Sequence, residues 1–121
     1  MNQPARISDS AIASMLARLA DCFVEDYGRP MSPGSISGFH HFLSSLSFHG
    51  HPTLSAESSG DVVATWRVGD ETVSLKFLDQ SRFHYALVIK RPDGVARPWG
   101  TADIFSFLAQ YPEAQRIISS C

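Results

Sequence analysis

The sequence predicts an α+β domain in which helices cover one face of an antiparallel sheet. Apolar residues recur every three or four positions over residues 7–28, and again after Ser35, as they do in amphipathic helices. From Thr53 to Lys90 the interval falls to two, which is typical of strands, and turn residues divide that stretch. A helical interval returns after Thr101. The predicted order is therefore two helices, a sheet and a final helix.

The first predicted helix covers residues 7–28. Ser8 is placed to act as its N-cap, and Asp9 favours the positive end of the helix dipole. Ile7 and Ile12 stand at the spacing of a hydrophobic staple. A glycine and a proline end the helix. Its apolar stripe consists of Ile12, Leu16, Leu19, Phe23 and Tyr27.

A second, shorter helix is predicted to start near Ser35 and to end before His49. The segment Gly34–Gly38 has the letters of a nucleophile elbow, but no strand precedes it, so we interpret it as the start of this helix. The apolar face consists of Ile36, Phe39, Phe42, Leu43 and Leu46.

Two hairpins set the register of the central strands. A two-residue loop, Gly69–Asp70, and a three-residue loop, Asp79–Ser81, place the large apolar residues on one face. The first hairpin pairs Val68 with Glu71, Trp66 with Val73, Ala64 with Leu75 and Val62 with Phe77. The second pairs Phe77 with Phe83, Leu75 with Tyr85 and Val73 with Leu87. The predicted core residues of the sheet are Trp66, Leu75, Phe77, Phe83, Tyr85 and Leu87.

The outer strands of the sheet are short. Thr53–Glu57 is predicted as a first strand, which gives an antiparallel meander of four. The turn at Pro92–Gly94 predicts a fifth, edge strand over Val95–Trp99, and Pro98 limits its length.

Thr101 is predicted to cap a third helix, which Tyr111 and Pro112 break. Only a final turn is expected over Ala114–Ile118. We expect residues 1–121 to form one domain. The apolar stripe of the third helix consists of Ile104, Phe105, Phe107 and Leu108.

Composition narrows the function classes. The chain has 121 residues, of which 44% are hydrophobic and 18% charged, and these values disfavour disordered, collagenous and membrane proteins. Ten basic residues against twelve acidic ones give a net charge of −2, which lacks the basic character of a dedicated nucleic-acid binder. The start of the chain, Met1–Arg6, has no apolar run of the signal-peptide type, so we expect a cytoplasmic protein and no membrane association.

Motifs for chemistry are weak. Cys22 and Cys121 are interpreted as free thiols, since no CxxC motif is present. His49 and His51 are the nearest approach to a metal-ligand pair, but no acidic residue or cysteine lies close by in sequence. We therefore predict no metal, no cofactor, no catalytic residue and no enzymatic activity.

The face of the sheet opposite the core is predicted to be small and polar. Its residues form three rows across the strands: Arg67 with Thr72 and Val88, Thr65 with Ser74 and Ala86, and Val63 with Lys76 and His84. A plain solvated face is the ordinary interpretation of such a pattern. The alternative is a docking surface for an acidic protein or RNA, with a basic rim of Arg67, Lys76, Arg82, His84 and Lys90.

A second candidate surface is the segment 90–100, which adds Arg91, Arg97 and Trp99 to the candidate binding residues. Arginine and tryptophan are enriched at binding hot spots. Large aromatic residues are also commonly buried, and the second interpretation has Trp99 closing the end of the core under the third helix.

The run from Pro30 to Tyr85 contains a spaced set of residues: Pro33, Ser35, Phe39, Phe42, Leu43, Pro52, Leu54, Gly60, Ala64, Trp66, Arg67, Leu75, Phe77, Leu78 and Arg82. In these residues it resembles small uncharacterised bacterial proteins of phages, plasmids and genomic islands, often encoded beside toxin or defence genes. The resemblance covers about half the chain. It implies a cytoplasmic accessory protein, of the antitoxin or immunity type, that acts by binding a protein. It supplies no catalytic residue.

These observations predict a non-catalytic binding protein, antitoxin-like, immunity-like or inhibitor-like, that masks a protein partner through the polar sheet face or the segment 90–100. The alternative from another class is a nucleic-acid-associated regulator that uses the basic rim. A small histidine-based metal protein or enzyme is a third interpretation. An exposed edge strand, Thr53–Glu57 or Val95–Trp99, also leaves a homodimer open.

Overall fold

A computed structural model describes residues 7–46 and 49–120, and the side chains of residues 10–46 and 49–120. It confirms the α+β class: two N-terminal helices and a C-terminal helix pair pack against an antiparallel sheet. Ser8 was predicted as the N-cap of the first helix, and this is wrong, because the helix already includes Ile7. The side chains of Ile7, Ser8 and Asp9, and Cys121, lie outside the described residues. The helices are α1 (Ile7–Tyr27), α2 (Pro33–Ser44), α3 (Ile104–Gln110) and α4 (Pro112–Ser120). The strands are β1 (Thr53–Ala56), β2 (Val62–Val68), β3 (Glu71–Phe77), β4 (Phe83–Arg91), β5 (Gly94–Ala96) and β6 (Trp99–Ala102).

The sheet is a meander in the order β1-β2-β3-β4, with β5 and β6 both on the free side of β4. The alternation of apolar residues predicted this register correctly, because a shift by one residue would have turned the large side chains into solvent. Gly69 takes a φ of +59° at the first position of the two-residue loop, as a tight hairpin requires. The confirmed pairs are Val68–Glu71, Trp66–Val73, Ala64–Leu75, Phe77–Phe83, Leu75–Tyr85 and Val73–Leu87.

Strands β5 and β6 are two parts of one edge strand. Their register against β4 is the same on both sides of the break. Pro98 lies at the break: its carbonyl accepts a hydrogen bond from the Leu87 N–H at 2.9 Å, but it has no N–H to donate in return. The predicted fifth strand is therefore present but runs on past Trp99 to Ala102.

The core lies between the helices and one face of the sheet. All six predicted sheet residues are buried there. Phe42 of α2 meets the Phe83 ring edge-on at 5.6 Å, and Phe107 of α3 meets the same ring at 5.2 Å. Such edge-to-face pairs add to the burial of the rings themselves. The predicted residues Phe39, Phe42, Leu43 and Leu46 of the second helix region are buried as well.

The segment between α2 and β1 is tied to both layers through Gly50. Its N–H donates to the carbonyl of Ile118 in α4 at 2.7 Å, and its carbonyl accepts from the Trp66 indole at 3.2 Å. The buried indole N–H thus has the partner that it requires.

Two helix starts differ from the predictions. Helix α2 begins at Pro33, with Ser32 as the N-cap, while the side chain of Ser35 is fully buried. Thr101 was predicted to cap the third helix, and this is wrong: Thr101 belongs to β6, and Asp103 is the cap, accepting from the Ser106 N–H at 2.9 Å. The strand continues further than predicted, so the cap falls two residues later.

The C-terminal helices hold two further corrections. Phe105 was placed in the apolar stripe but is 79% exposed, whereas Phe107 is fully buried. The segment predicted as a final turn is the nine-residue helix α4, with Pro112 at its first position. Proline is favoured there because the first N–H of a helix has no acceptor within it. Among the described helices, none is long and apolar enough to cross a membrane.

Candidate functional site

The face of the sheet turned away from the helices carries the candidate site, and we call it the outer face. All three predicted rows are confirmed by the strand pairing. The pairing with β1 and β6 extends them at both ends. The outer face consists of Thr53, Ser55, Val63, Thr65, Arg67, Thr72, Ser74, Lys76, His84, Ala86, Val88, Lys90, Val95, Arg97, Trp99 and Thr101.

Trp99 stands on the outer face and not in the core. It lies opposite Ala86, whose side chain points away from the helices, and it is 81% exposed. The interpretation that buries this residue under the third helix is therefore wrong. Because the edge strand keeps its register past Pro98, Arg97 and Val95 alternate onto the same face, and Val95 is 55% exposed. The two surfaces predicted separately are thus one continuous surface.

In the row that leads from Trp99 towards β1, the side chains of the outer face are small. The middle row runs from Trp99 through Ala86 and Ser74 to Thr65, where the two hydroxyls of Ser74 and Thr65 are 3.1 Å apart. Three strand spacings separate the ends of this row, which is roughly 14 Å. A shallow depression at the far end is lined by His51, Thr53, Thr65 and Arg67.

Most of the cations of the predicted rim are paired with acids. Lys76 lies 2.8 Å from Glu57, and this ion pair raises the pKa of the lysine. Lys90 lies 3.1 Å from Asp70. Each pair cancels charge that a basic surface would need, although exposed pairs add little to stability.

Arg67 and Arg97 are the two arginines of the outer face. Both side chains are exposed. Arg97 makes no ion pair with any residue in the described part of the chain. On the other side of the Trp99 row, the ring of His84 lies 2.6 Å, Nδ1 to Oγ1, from the hydroxyl of Thr101 across the β4–β6 pair.

Two predicted binding residues lie elsewhere. Arg91 donates to Glu113 of α4 at 3.1 Å and so belongs to the side of the sheet that carries the helices. Arg82 lies in the β3–β4 loop, where it pairs with Asp79 at 3.1 Å. These corrections follow from position along β4: Arg91 has the parity of the core residues, and Arg82 precedes the strand.

A second feature, the aromatic pocket, was missed by the sequence analysis. It encloses about 120 Å³ at the end of the sheet, with Phe42, Phe77, Phe83 and Ile104 among its lining residues. Exposed Phe105 stands at its edge. A signal for Phe105 did exist, since a helical stripe through Ile104, Phe107 and Tyr111 excludes position 105.

The rim of the aromatic pocket includes the charged side chains of Asp79 and Arg82, which are hydrogen-bonded to each other. Asp79 accepts from the backbone N–H groups of Ser81 and Arg82, both at 2.9 Å, and also from the Arg82 guanidinium. These bonds stabilise the carboxylate and lower the pKa of Asp79 to about 2. Asp79 is thus occupied in holding its own loop.

In the described part of the chain, the histidines and Cys22 do not come together in a metal-binding cluster. His49 is buried and its Nδ1 lies 3.2 Å from the carbonyl oxygen of Gly50, whereas His51 is exposed. Cys22 is exposed on α1. Within residues 7–46 and 49–120, no three histidine, cysteine, aspartate or glutamate side chains are grouped so as to hold a metal ion.

Comparison with known proteins does not place the chain in a family. No protein-family model, curated protein or solved structure matches this chain. The resemblance to proteins of mobile genetic elements therefore stays a prediction.

Proposed function

We propose that this chain is a non-catalytic binding protein that docks a protein partner on its outer face, with Trp99 as the anchor. The single observation that carries the proposal is the exposed indole of Trp99 beside a flat row of small side chains. Tryptophan combines a large apolar area with a polar N–H, and it is among the residues that dominate binding energy when a partner covers them.

The shape and charge of the outer face favour a protein over a nucleic acid. Lys76 and Lys90 form ion pairs with Glu57 and Asp70. These two lysines are therefore less available to neutralise the phosphates of a nucleic acid. Among the described residues of the outer face, Trp99 has no second phenylalanine, tyrosine or tryptophan beside it, so successive bases would not find a row of large aromatic platforms. The nucleic-acid interpretation is the alternative outcome of the tests below.

The proposed biological role follows from the resemblance to proteins of phages, plasmids and genomic islands. An antitoxin, immunity protein or inhibitor needs no reaction of its own, because it acts by covering a surface of its target. We propose that the protein works in the cytoplasm in this way, as such accessory proteins do.

Site-specific crosslinking in the source cell tests the proposal. A photoreactive phenylalanine replaces Ser74 in the middle row of the outer face, and a control chain carries it at Gln115, which is exposed on α4. We expect one protein to be captured from position 74 and not from position 115, and the capture to be lost in Trp99→Ala. Equal capture from both positions, none from either, or capture of nucleic acid would overturn the proposal.

A further inference from the structure

Among the described elements, only β4 packs extensively against the edge strand formed by β5 and β6, which we call the open edge. The helices pack chiefly against β1, β2 and β3, and the opposite edge of the sheet meets α1. An uncovered edge offers a row of backbone donors and acceptors to another strand.

One hydrogen bond determines which backbone groups point outward. The Leu87 N–H donates to the Pro98 carbonyl at 2.9 Å, so these two residues form a hydrogen-bonded pair. Antiparallel pairs alternate in type along the ladder. The backbone N–H and C=O groups that point away from β4 therefore belong to Val95, Arg97, Trp99 and Thr101, and no hydrogen bond to these groups is found within the described chain.

Pro98 leaves the open edge able to pair. Proline commonly protects an edge strand because it removes a donor that points outward. Here the missing donor would have pointed inward, to β4, so all four outward positions keep their N–H groups. The proline weakens the sheet by one internal bond and does not block the addition of a strand.

We propose that the open edge pairs, antiparallel, with the same edge of a second copy of this chain across a two-fold axis at Pro98. Arg97 then lies opposite Trp99 of the second copy, and Val95 lies opposite Thr101. This register pairs all four outward residues. A shift of two residues in either direction leaves one of them unpaired, and one of those shifts sets Arg97 against Arg97.

The side chains of the open edge are self-complementary in this register. Arg97 meets an indole face twice in each dimer, which is a favourable cation–π contact. Val95 opposite Thr101 is a pair of branched side chains that suits a sheet. On the face toward the helices, Ala96 comes opposite Gly100, so small residues there allow the two edges to approach.

The dimer does not depend on the proposed docking function. Strand pairing uses backbone groups in the plane of the sheet, so both outer faces stay open and join into one surface around the two-fold axis. The two proposals can therefore fail separately.

A charge exchange tests the dimer and its register. Sedimentation equilibrium is measured over a range of concentrations for the natural chain, for Trp99→Lys and for Arg97→Glu/Trp99→Lys. We expect the natural chain to approach twice its 13.3 kDa mass. Trp99→Lys should be monomeric, because Arg97 then faces a lysine, and the double variant should dimerise again through Glu–Lys pairs.

The outcomes separate the two proposals. A natural chain that stays monomeric, or a folded double variant that stays monomeric, overturns the dimer. Capture of a partner at position 74 should be absent from both variants, since both lack the indole, so recovery of the dimer without recovery of capture is the expected combination.

A disulfide provides a second test that does not alter charge. Pro98→Cys, in a chain with Cys22→Ser and Cys121→Ser, places two thiols opposite each other at the axis, where paired strands bring Cα atoms within disulfide range. We expect a covalent dimer on mild oxidation. A folded variant that forms no disulfide overturns the register.

Discussion

Ser35 shows how a single buried hydroxyl joins two elements of this molecule. Its side chain is fully buried at the start of α2, and its Oγ accepts from the Val62 N–H at 2.7 Å, where β2 begins. The sequence analysis recognised the segment as a helix start, but it gave no sign of this bond, because the partner lies 27 residues further along the chain.

We expect Ser35→Ala to lower the free energy of unfolding by about 1–3 kcal/mol, since the Val62 N–H loses its acceptor in a buried setting. Urea unfolding measures the change. Ser37→Ala, in the same helix and only partly buried, is the matched control and should change stability by no more than about 0.5 kcal/mol. Equal losses in both variants would contradict the assigned bond.

Glu71 is a second buried polar residue that joins separate elements through hydrogen bonds. Its carboxylate accepts from the Lys90 N–H at 3.0 Å and from the Arg116 guanidinium of α4 at 2.9 Å. The bond from Arg116, followed by that from Lys90, lowers the pKa of Glu71 below its ordinary value of 4.5. A buried carboxylate at the start of β3 thus holds both the neighbouring strand and a helix.

A lowered pKa in the folded state means that Glu71 stabilises the protein above about pH 4.5, and that this stabilisation is lost as the pH falls through the lowered pKa. We expect Glu71→Gln to cost about 1–2 kcal/mol near neutral pH and much less in acid. Unfolding by urea at a series of pH values checks this. A difference between the two chains that does not shrink in acid would contradict the assignment.

Helix α2 approaches the β3–β4 loop so closely that a side chain at one position would not fit. A Cβ on Gly38 would lie 3.0 Å from the carbonyl carbon of Asp79 and closer still to its oxygen. The same addition at Gly34 meets the nearest atom, the Cα of Asp79, at 3.8 Å, which is ordinary contact. The glycine in the middle of this helix is therefore a packing requirement.

We expect Gly38→Ala to destabilise the protein by at least about 1–3 kcal/mol, because helix and loop must separate. Gly34→Ala should be neutral or stabilising by up to about 1 kcal/mol, since alanine favours the helix. Thermal unfolding of both variants measures the contrast. A stable Gly38→Ala protein would show that the helix and the loop are further apart than the structure has them.

The elements also show where sequence reasoning succeeds and where it stops. The hairpin registers were predictable because residues such as Trp66 and Phe83 leave only one register that buries them. The start of α3 was not predictable, because threonine is suited both to a helix cap and to a strand. The pairing of Thr101 with His84 places it in the strand. Helix α4 was underestimated since its stripe, Ala114, Ile117 and Ile118, is too short to separate a helix from a turn.

At the scale of the whole molecule, the register of the edge strand determines the composition of the outer face on which we propose that a partner docks. The sequence analysis named Trp99 as a candidate but left its placement open, because a proline within a strand can shift the register or leave it unchanged. The structure keeps the register, and one unchanged register brings Trp99, Arg97 and Val95 to the same side. The ion pairs of Lys76 with Glu57 and of Lys90 with Asp70 had no sequence signal, because the partners are distant in sequence.

At a protein concentration low enough to keep the chain monomeric, we expect Trp99→Ala to change the free energy of unfolding by no more than about 0.5 kcal/mol, because the side chain is 81% exposed. Binding to the captured partner should weaken by more than about 2 kcal/mol, which is roughly 30-fold. Phe105→Ala removes an equally exposed aromatic residue, and it should leave binding unchanged. Calorimetric titration measures both; a loss with Phe105→Ala alone would move the site to the aromatic pocket.

Quenching of tryptophan fluorescence tests the placement of Trp99 most directly. The chain has two tryptophans, so Trp66→Phe leaves Trp99 as the sole emitter, and Trp99→Phe leaves Trp66. At low protein concentration, we expect acrylamide to quench Trp99 almost as strongly as in the chain unfolded by urea, and to quench Trp66 weakly. If Trp99 is instead shielded to the same extent as Trp66, it is buried, and the outer face has no anchor.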